Sequence, residues 1–493
     1  MTIGIIPVAI ATAAGLRKED RQTVLNLCAV YSKTLARNRL RDGYYLMHIK
    51  PQQLGISVPD GLRNLEQAIS WPAKAVDALA DRSQFDGFTC TDEDTAKELQ
   101  AIVRENALKR RYRKAVKGQL RNSCAFLTVT AGDVDAGEPA VIISAYSAVS
   151  AAALWDERLH RIHAGIVVVD RDNRPNHRNA PTWINVFTDT DIIRIRRPLD
   201  STRWVAEYIP HGMGRCLMEP LVYEATLDRP FGKSRISRAV MDLTDDAMRS
   251  SVRAEVAAEF MTAPQKYLVG ADPDALNKLS KWDAYIGSIF AVSKDADGDT
   301  PTFGQLQQGS MQPHIDYMRS LAARFSAETN VPISELGIVS DNPSSAEAIY
   351  AAKEPLVVDA QNLNADNGEA LRDIALMSLA VKRNISFAEV LTTEPNITAK
   401  WRNPAMPSIV SQADSMLKIA QAVPWIVNSE ILLEELGFTD DQVQRLESDR
   451  ERASAQELLR ARFAAKATKT PVDNQDLLDG VIDAGKQGKN FAI

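Results

Sequence analysis

This chain has few of the residues that mark specialised protein classes. Its 493 residues include four scattered cysteines, with no CxxC pair and no short Cys/His spacing. That pattern argues against a disulfide framework or a zinc site and is typical of reduced thiols. No run approaches the roughly 18 apolar residues of a membrane helix. Met1–Leu16 is apolar but lacks a basic start, so residues 1–19 are predicted to form an N-terminal arm and not a cleaved signal.

Excess positive charge is also missing. The chain has 58 basic and 64 acidic residues, a net charge of −6. This balance excludes a protein whose whole surface neutralises nucleic-acid phosphates, so any contact with DNA is expected to be local. The length exceeds what one hydrophobic core usually serves, which predicts two or more subdomains.

A phosphate-binding loop is absent. Gly232-Lys233-Ser234 resembles the end of a P-loop, but the glycine required five residues earlier is replaced by Leu227. Pro230 and Phe231 occupy the turn that would surround the phosphates. The triplet is therefore interpreted as the entrance of a helix.

Metal sites and catalytic triads are equally incomplete. Asp295, Asp297 and Asp299 alternate as in a calcium loop, but Gly298 comes too early for an EF-hand. His160 and His163 form the one close histidine pair, and no third ligand accompanies them. We predict no metal, no cofactor and no nucleophilic triad.

Alternating apolar residues predict an α+β region over residues 20–228. Helices are expected at Leu25–Met47, Trp71–Arg82 and Asp92–Gln119. Six strands are predicted after the third helix. They are Ala125–Thr130, Ala140–Ala145, Arg161–Asp170, Trp183–Thr188, Asp191–Arg196 and Arg203–Ile209.

The second half is predicted to be mainly helical. A long helix is expected at Ser234–Phe260, with an apolar stripe that drifts around it. Strands at Gln265–Val269 and Ser288–Val292 suggest a compact mixed segment before the next helix. A third helix, Ser345 to about Lys382, contains Pro355 and should kink there.

Residues 310–345 form a helix, a polar loop and a helix start. Pro313 suits a first helical turn, and apolar residues at helical spacing follow it. This stripe is Ile315, Met318, Leu321, Ala322 and Phe325. Ser344 and Glu347 have the spacing of a capping box that restarts a helix at Ser345. The loop between has no basic residue and does not resemble a catalytic site.

Basic residues cluster between Lys109 and Lys117 on the predicted third helix. With Tyr112 as the one aromatic residue among them, a solvated face or subunit contact is favoured over DNA binding. Whether this cluster touches DNA stays open.

Four fragments together resemble the portal proteins of tailed bacteriophages, in the branch found in actinobacterial phages. They are Leu54–Arg82, Arg229–Phe260, Thr302–Ile349 and Ile397–Ser408. The resemblance covers about residues 25 to 465 and is specific in the order of the fragments. It implies the α+β portal-protein fold: an α/β wing, a two-helix stem, a small α/β clip, a tunnel loop with a long kinked helix, and a helical crown.

The resemblance also implies domain bounds. These are an arm at 1–19, a wing at 20–228, stem helix 1 at 229–262, a clip at 263–312, stem helix 2 at 313–331, a tunnel loop at 332–344, a kinked wing helix and strand at 345–408, a crown at 409–467, and a mobile tail at 468–493. The implied function is a ring, typically of twelve subunits, at one capsid vertex of the virion. Double-stranded DNA is packaged and ejected through its channel.

Partners implied by the resemblance are the terminase large subunit, the head–tail adaptor, and the major capsid and scaffolding proteins, with assembly in the host cytoplasm. The implied site residues fall into three groups. They are Ser340, Asp341, Asn342, Pro343 and Ser344 facing the DNA; Met248, Val252, Val256 and Phe260 at the subunit interface; and Lys294, Asp295, Asp297 and Asp299 in the clip.

The uncharged-to-acidic loop agrees with this role on physical grounds. Each neutralised phosphate adds affinity for a duplex, so a lysine-rich channel would retain the DNA it conducts. The alternative is an enzyme of DNA metabolism, a nuclease or packaging ATPase, which would need a Walker A motif or clustered metal-binding carboxylates. Asp242, Asp245 and Asp246 are the best candidates, but ion pairs with nearby arginines explain them more simply. Another head–tail joining protein would lack the stem–clip–stem order.

Overall fold

The computed structural model describes most of the chain. The described residues are 7–50, 67–175, 179–199, 201–262, 266–269, 302–305, 309–338, 345–394, 396–405, 409–429, 432–433, 436–438 and 440–467. The fold is mixed, about 52% helix and 20% strand. It divides into two compact units, Met1–Ala405 and Met406–Ile493. No described helix is long and apolar enough to cross a membrane.

The described helices begin and end as follows. They are α1 (Pro7–Ala11), α2 (Asp20–Tyr45), α3 (Trp71–Ala80), α4 (Glu93–Glu105), α5 (Leu108–Asn122), α6 (Arg238–Thr262), α7 (Gln312–Thr329), α8 (Ala346–Arg383), α9 (Phe387–Thr393), α10 (Ile409–Ala422) and α11 (Asp440–Ala467). Two 3₁₀ helices lie at Ile333–Leu336 and Pro424–Asn428.

The described strands form two sheets and two isolated pairs. They are β1 (Phe85–Thr89), β2 (Cys124–Ala131), β3 (Val141–Ser147), β4 (Ala151–Asp156), β5 (Arg161–Asp172), β6 (Ala180–Phe187), β7 (Asp191–Arg196), β8 (Val205–Pro210), β9 (Met218–Val222), β10 (Lys266–Val269), β11 (Thr302–Gln305) and β12 (Thr398–Trp401). One sheet has the order β3-β2-β9 and the other β4-β5-β6-β7-β8, while β1 pairs with β12 and β10 with β11, all antiparallel.

Most of the predicted strands are confirmed, but three in the α+β region were missed. Strand β4 is alanine-rich and β1 contains a glycine, so neither has a strong strand composition. Strand β9 contains Pro220, which a sequence reading assigns to a turn. It lies at the edge of its sheet, where a missing N–H is tolerated.

The prediction of one helix over Asp92–Gln119 is wrong, because the chain breaks between α4 and α5. Ala107 adopts the left-handed conformation, with φ of 47°. The side chain of Asn106 donates to the carbonyls of Ile102 and Val141, at 3.1 and 2.9 Å. It also accepts from the backbone N–H of Ile143 at 2.8 Å. One buried amide therefore ends α4 and holds the edge of β3.

The unit Met1–Ala405 has two principal apolar cores. In one, α3, α5 and α8 pack around the three-stranded sheet, as shown by buried Val76, Leu120, Leu127 and Leu376. In the other, α1 and α2 cover the five-stranded sheet. Alternating burial along β6 and the near-continuous burial of β5 reflect which strand faces lie against helices.

Helix α8 runs without interruption from Ala346 to Arg383, with Pro355 inside it. The predicted capping box is wrong in detail: Ser345 is the N-cap, its side chain accepts from the N–H of Ala348, and alanine at that position cannot complete a box. Farther along, Asn367 exchanges hydrogen bonds with Gln119 of α5 at 2.8 and 3.0 Å and donates to the hydroxyl of Tyr112. Because these buried polar groups must be paired, they fix the position of α8 on α5.

The unit Met406–Ile493 was predicted as one helical block and is described as separate segments. Helix α10 ends at Ala422, and the 3₁₀ helix begins at Pro424. Proline lacks the N–H that an α-helix needs, which explains the break. Helix α11 follows, and residues 468–493 lie outside the described part of the chain.

Candidate functional site

Helices α6 and α7 pack against each other as an antiparallel pair. Ser237, just before α6, donates from its hydroxyl to Oε1 of Glu328 near the end of α7, at 2.9 Å. Beyond the other end of the pair, β10 and β11 bond to each other with Val269 opposite Thr302. The strand that follows α6 therefore lies beside the strand that precedes α7.

The predicted interface residues of α6 are buried within the single chain. Met248, Val252 and Val256 are 4, 2 and 5% exposed, and the side chain of Phe260 lies outside the described part. Their contact with an adjacent subunit stays a prediction. An aspartate introduced at one of these positions would destabilise the subunit itself, so loss of ring assembly in such a variant would not by itself demonstrate an interface.

On α7 the predicted stripe is buried at one end and exposed at the other. Leu321, Ala322 and Phe325 are fully buried, Met318 is partly buried, and Ile315 is 46% exposed. The ring of Phe325 lies 5.2 Å from that of Trp71 on α3, between ring centroids. The pair is thus packed into the rest of the molecule where α6 begins and α7 ends.

Arg235 links the helix pair to the α+β region at this junction. Its side chain is 4% exposed and donates to the carbonyl of Ala75 on α3 and the hydroxyl of Tyr223, both at 2.7 Å. It also donates to the carbonyl of Thr329, the last residue of α7. A planar guanidinium with five donors can hold several elements in fixed directions at once.

Asp359 of α8 completes this junction. It pairs with Arg235 at 3.4 Å and accepts from the side-chain amide of Asn330 at 3.1 Å. Asn330 ends α7 in the left-handed conformation, with φ of 54°. The residues before α6 and the end of α7 are therefore bonded to both α3 and α8.

A second link lies just after α7, in the 3₁₀ helix Ile333–Leu336. The carboxylate of Glu335 pairs with Lys74 at 2.8 Å and with Arg82 at 3.5 Å. Burial alone would raise the pKa of Glu335, but Lys74 and Arg82 outweigh it and the pKa is lowered. The carboxylate therefore stays ionised and paired at neutral pH.

The predicted tunnel-loop and clip residues fall outside the described part of the chain. This applies to Ser340–Ser344 and to Lys294, Asp295, Asp297 and Asp299. Their flanks are described: Gly337, with φ of 85°, follows the 3₁₀ helix, and Ser345 caps α8. The loop therefore connects two well-defined anchors.

Half of the basic cluster on α5 serves the fold. Lys109 pairs with Asp86 at 2.8 Å, Lys117 pairs with Asp77 at 2.9 Å, and Arg111 donates to the carbonyl of Ile143. The remaining basic residues of the cluster are exposed. They are Arg110, Arg113 and Lys114. A DNA-binding role for this cluster is untested.

The features that suggested an enzyme have structural explanations. Asp246 pairs with Arg249, Asp242 with Arg238, and Asp245 accepts from the hydroxyl of Tyr44 at 3.0 Å. Among the described residues, no group of three His, Cys, Asp or Glu side chains is placed to hold a metal. Gly232 has φ of 62°, and a Cβ there would lie 2.1 Å from the carbonyl oxygen of Tyr223, so glycine is required by packing.

Sequence reasoning missed Arg235 and a second buried arginine, Arg215. Arg215 pairs with Glu219 of β9 and, at 3.1 Å, with Asp373 of α8. Burial raises the pKa of Glu219 to about 8 despite this neighbour. The available signal was an arginine beside apolar residues, but the α8 carboxylate that pairs with each one, Asp373 or Asp359, lies more than a hundred residues away.

Comparison with curated proteins relates the chain to bacteriophage proteins. It is 26% identical over 410 residues to a portal protein of Mycobacterium phage L5, covering 81% of each chain. It is also 26% identical over 414 residues to a portal protein of Mycobacterium phage D29, covering 81% of this chain and 82% of that one. These relatives confirm the resemblance to actinobacteriophage portal proteins. No family model matches the chain.

Among solved structures, the neck of an empty gene transfer agent particle aligns with a TM-score of 0.44 and 12% identity. The alignment covers 76% of this chain and 92% of that one. The neck of the native particle aligns with a TM-score of 0.43 at 12% identity, over 83% and 99% of the two chains.

Proposed function

We propose that this chain is the portal subunit of a tailed-phage particle, with a structural and not an enzymatic role. Its sequence relationship to mycobacteriophage portal proteins, over four-fifths of both chains, supports this function. In the proposed assembly, about twelve copies form a ring at one capsid vertex of the virion. Double-stranded DNA passes through the ring during packaging and ejection.

The observation that carries the proposal is the helix–excursion–helix arrangement. Two antiparallel helices, α6 and α7, are clamped at one end by Arg235, and the chain between them leaves and returns through the β10–β11 pair. A rigid pair of this kind suits a channel wall that must keep its diameter while a duplex moves past. Residues 263–312 at the far end are proposed as the clip, which receives the terminase motor and then the head–tail adaptor.

The other assignments follow the same scheme. Residues 332–344 are proposed as the tunnel loop, with 340–344 facing the DNA; this loop carries no lysine or arginine and so would not retain DNA. Residues 20–228 with 345–408 are proposed as the wing, facing the major capsid protein and the scaffold during assembly in the host cytoplasm. Residues 409–467 are proposed as the crown.

Single-particle electron microscopy of the purified full-length chain, with its mass measured in solution, tests the proposal. Rings with a central channel wide enough for a duplex are the expected result. Measurable ATP hydrolysis or DNA cleavage by the purified chain, without rings, would instead favour the enzyme alternative. A ring with a closed centre would remove the proposed conduit.

A further inference from the structure

A cavity of about 540 Å³ lies in the proposed wing, next to the segment that leads into α6. It is lined by α2, by the starts of β2 and β4, and by residues 228–233. Its floor is apolar: the rings of Phe126 and Phe231 lie 6.0 Å apart, between centroids, and alanines of β4 adjoin them. The loop that carries Phe231 is held by Gly232, whose backbone lies too close to Tyr223 for a side chain.

The rim of this cavity is strongly basic. Lys33, Arg37 and Arg41 project from successive turns of α2, and Arg229 and Lys233 come from the loop opposite. Within the described residues Lys33, Arg37 and Arg229 form no ion pair, whereas Lys233 pairs with Glu224 at 2.6 Å. The lining has one carboxylate, that of Asp228. The wall therefore carries positive charge that its own carboxylate does not balance.

Arg41 shows the imbalance most clearly. Its Nε atom is buried and has no hydrogen-bond partner in the described part of the chain. Its other contacts are long ones, from Nη1 to the Asn38 side chain and the Asn122 carbonyl, both at 3.4 Å. Burial and the nearby Arg37 lower its pKa to about 10. A partly buried guanidinium with a buried, unpaired Nε and no carboxylate partner suits an anionic group from another chain.

A matching acidic projection exists on the same molecule. The β2–β3 loop, residues 132–138, contains Asp133, Asp135 and Glu138 and no basic residue. Val134 at its tip is 64% exposed. The loop is ordered by its own hydrogen bonds, from the N–H of Asp133 to Glu138 and from the N–H of Ala136 to Asp133, at 2.9 and 3.1 Å. It therefore presents an apolar side chain between carboxylates in a defined shape.

The loop and the cavity lie at opposite ends of one hairpin. Strand β2 starts at the cavity with Cys124 and Phe126 and ends at Ala131, next to the loop. At about 3.4 Å per residue, the eight residues of β2 separate them by roughly 25 Å. A chain thus cannot place this loop in its own cavity, whereas a neighbour can. Contacts that join unlike surfaces of identical subunits produce rings when the rotation closes.

We propose that the cavity receives the 132–138 loop of a second copy of this chain. Val134 of the neighbour packs on Phe231, the partly exposed ring of the pair, and its Asp135 pairs with Arg37 and Arg41. This inference rests on the proposed ring and adds to it a head-to-tail interface between adjacent wings.

A charge exchange in the full-length chain tests the interface by sedimentation velocity across a range of protein concentrations. R37E should raise the concentration needed for self-association at least about tenfold, because it places like charges together. D135R should do the same. The double variant R37E/D135R should self-associate at a lower concentration than either single variant, since one of the two pairs is restored in reverse while Arg41 still repels the new arginine. R113E, an exposed reversal on α5, is the matched control and should change little.

Mixed cross-linking gives a second readout. A chain with V134C and a chain with T34C, each also carrying C90S and C124A because Cys124 lines the cavity, are mixed and mildly oxidised. A dimer-sized band that requires both variants is expected. If R37E forms rings normally and the mixture of V134C and T34C chains gives no cross-linked dimer, the interface is overturned. The proposed function would still stand. A wild-type chain that stays monomeric at its highest soluble concentration would overturn both.

Discussion

Replacing Arg235 by methionine should separate the helix pair from the rest of the molecule. Methionine keeps most of the apolar stem but removes every donor. The carbonyls of Ala75 and Thr329 and the hydroxyl of Tyr223 then lose a buried partner. Each such loss costs about 1 kcal/mol or more. Asp359 is a quarter exposed and keeps its bond to Asn330, so its share is small. The expected total is about 3–5 kcal/mol.

Native-state hydrogen exchange with mass spectrometry measures this loss locally. Amides at the start of α6 and the end of α7 should lose about two to three and a half decades of protection, since about 1.4 kcal/mol corresponds to one decade. R235K should lose less protection than R235M but more than the wild type, because a lysine ammonium cannot reproduce the planar, five-donor geometry of the guanidinium. R238M is the control: Arg238 lies one turn later with its side chain 92% exposed, and no change is expected. A loss below one decade in R235M would refute the clamp.

Four further predictions address other parts of the chain. A107G should stabilise the wing by about 0.5–1 kcal/mol in urea unfolding, because glycine adopts the left-handed conformation without strain. The pKa of Glu219 is raised from 4.5 to about 8, so the folded state keeps a proton that the unfolded state loses. The free energy of unfolding should therefore fall as the pH rises from 4.5 to about 8, and E219Q should reduce this pH dependence. Deleting residues 340–344 should leave ring assembly intact and reduce packaged DNA, measured in particles from a complemented infection. V252D should lower the yield of folded subunit, measured by circular dichroism, because Val252 is buried within the chain.

Local patterns were sufficient for most individual elements. Helices α2, α3, α6 and α7 and most strands of the wing follow from apolar periodicity of 3.6 or 2, because each buries one face against a neighbour. Breaks were less predictable. The end of α4 depends on the Asn106 side chain reaching Val141 in a strand 35 residues away, which no short window contains.

The candidate site divides in the same way. The lack of a Walker A motif and the helix–loop–helix order were visible in the residues themselves, and they favoured a structural role over a nucleotide-binding enzyme. The burial of Met248, Val252 and Val256 within one chain was not visible, since an apolar stripe does not state which surface covers it.

Residues close together, and their order along the chain, were sufficient to predict a mixed α and β fold, the order of most elements and the resemblance to portal proteins. Which charged side chains stabilise the fold became clear only from the packed structure. Arg235 joins residues 75, 223, 329 and 359, and Lys109 is neutralised by Asp86, whereas Arg37 is left without a carboxylate within the described residues. A charged side chain acts through what lies within a few ångströms of it, and folding brings distant segments to that distance.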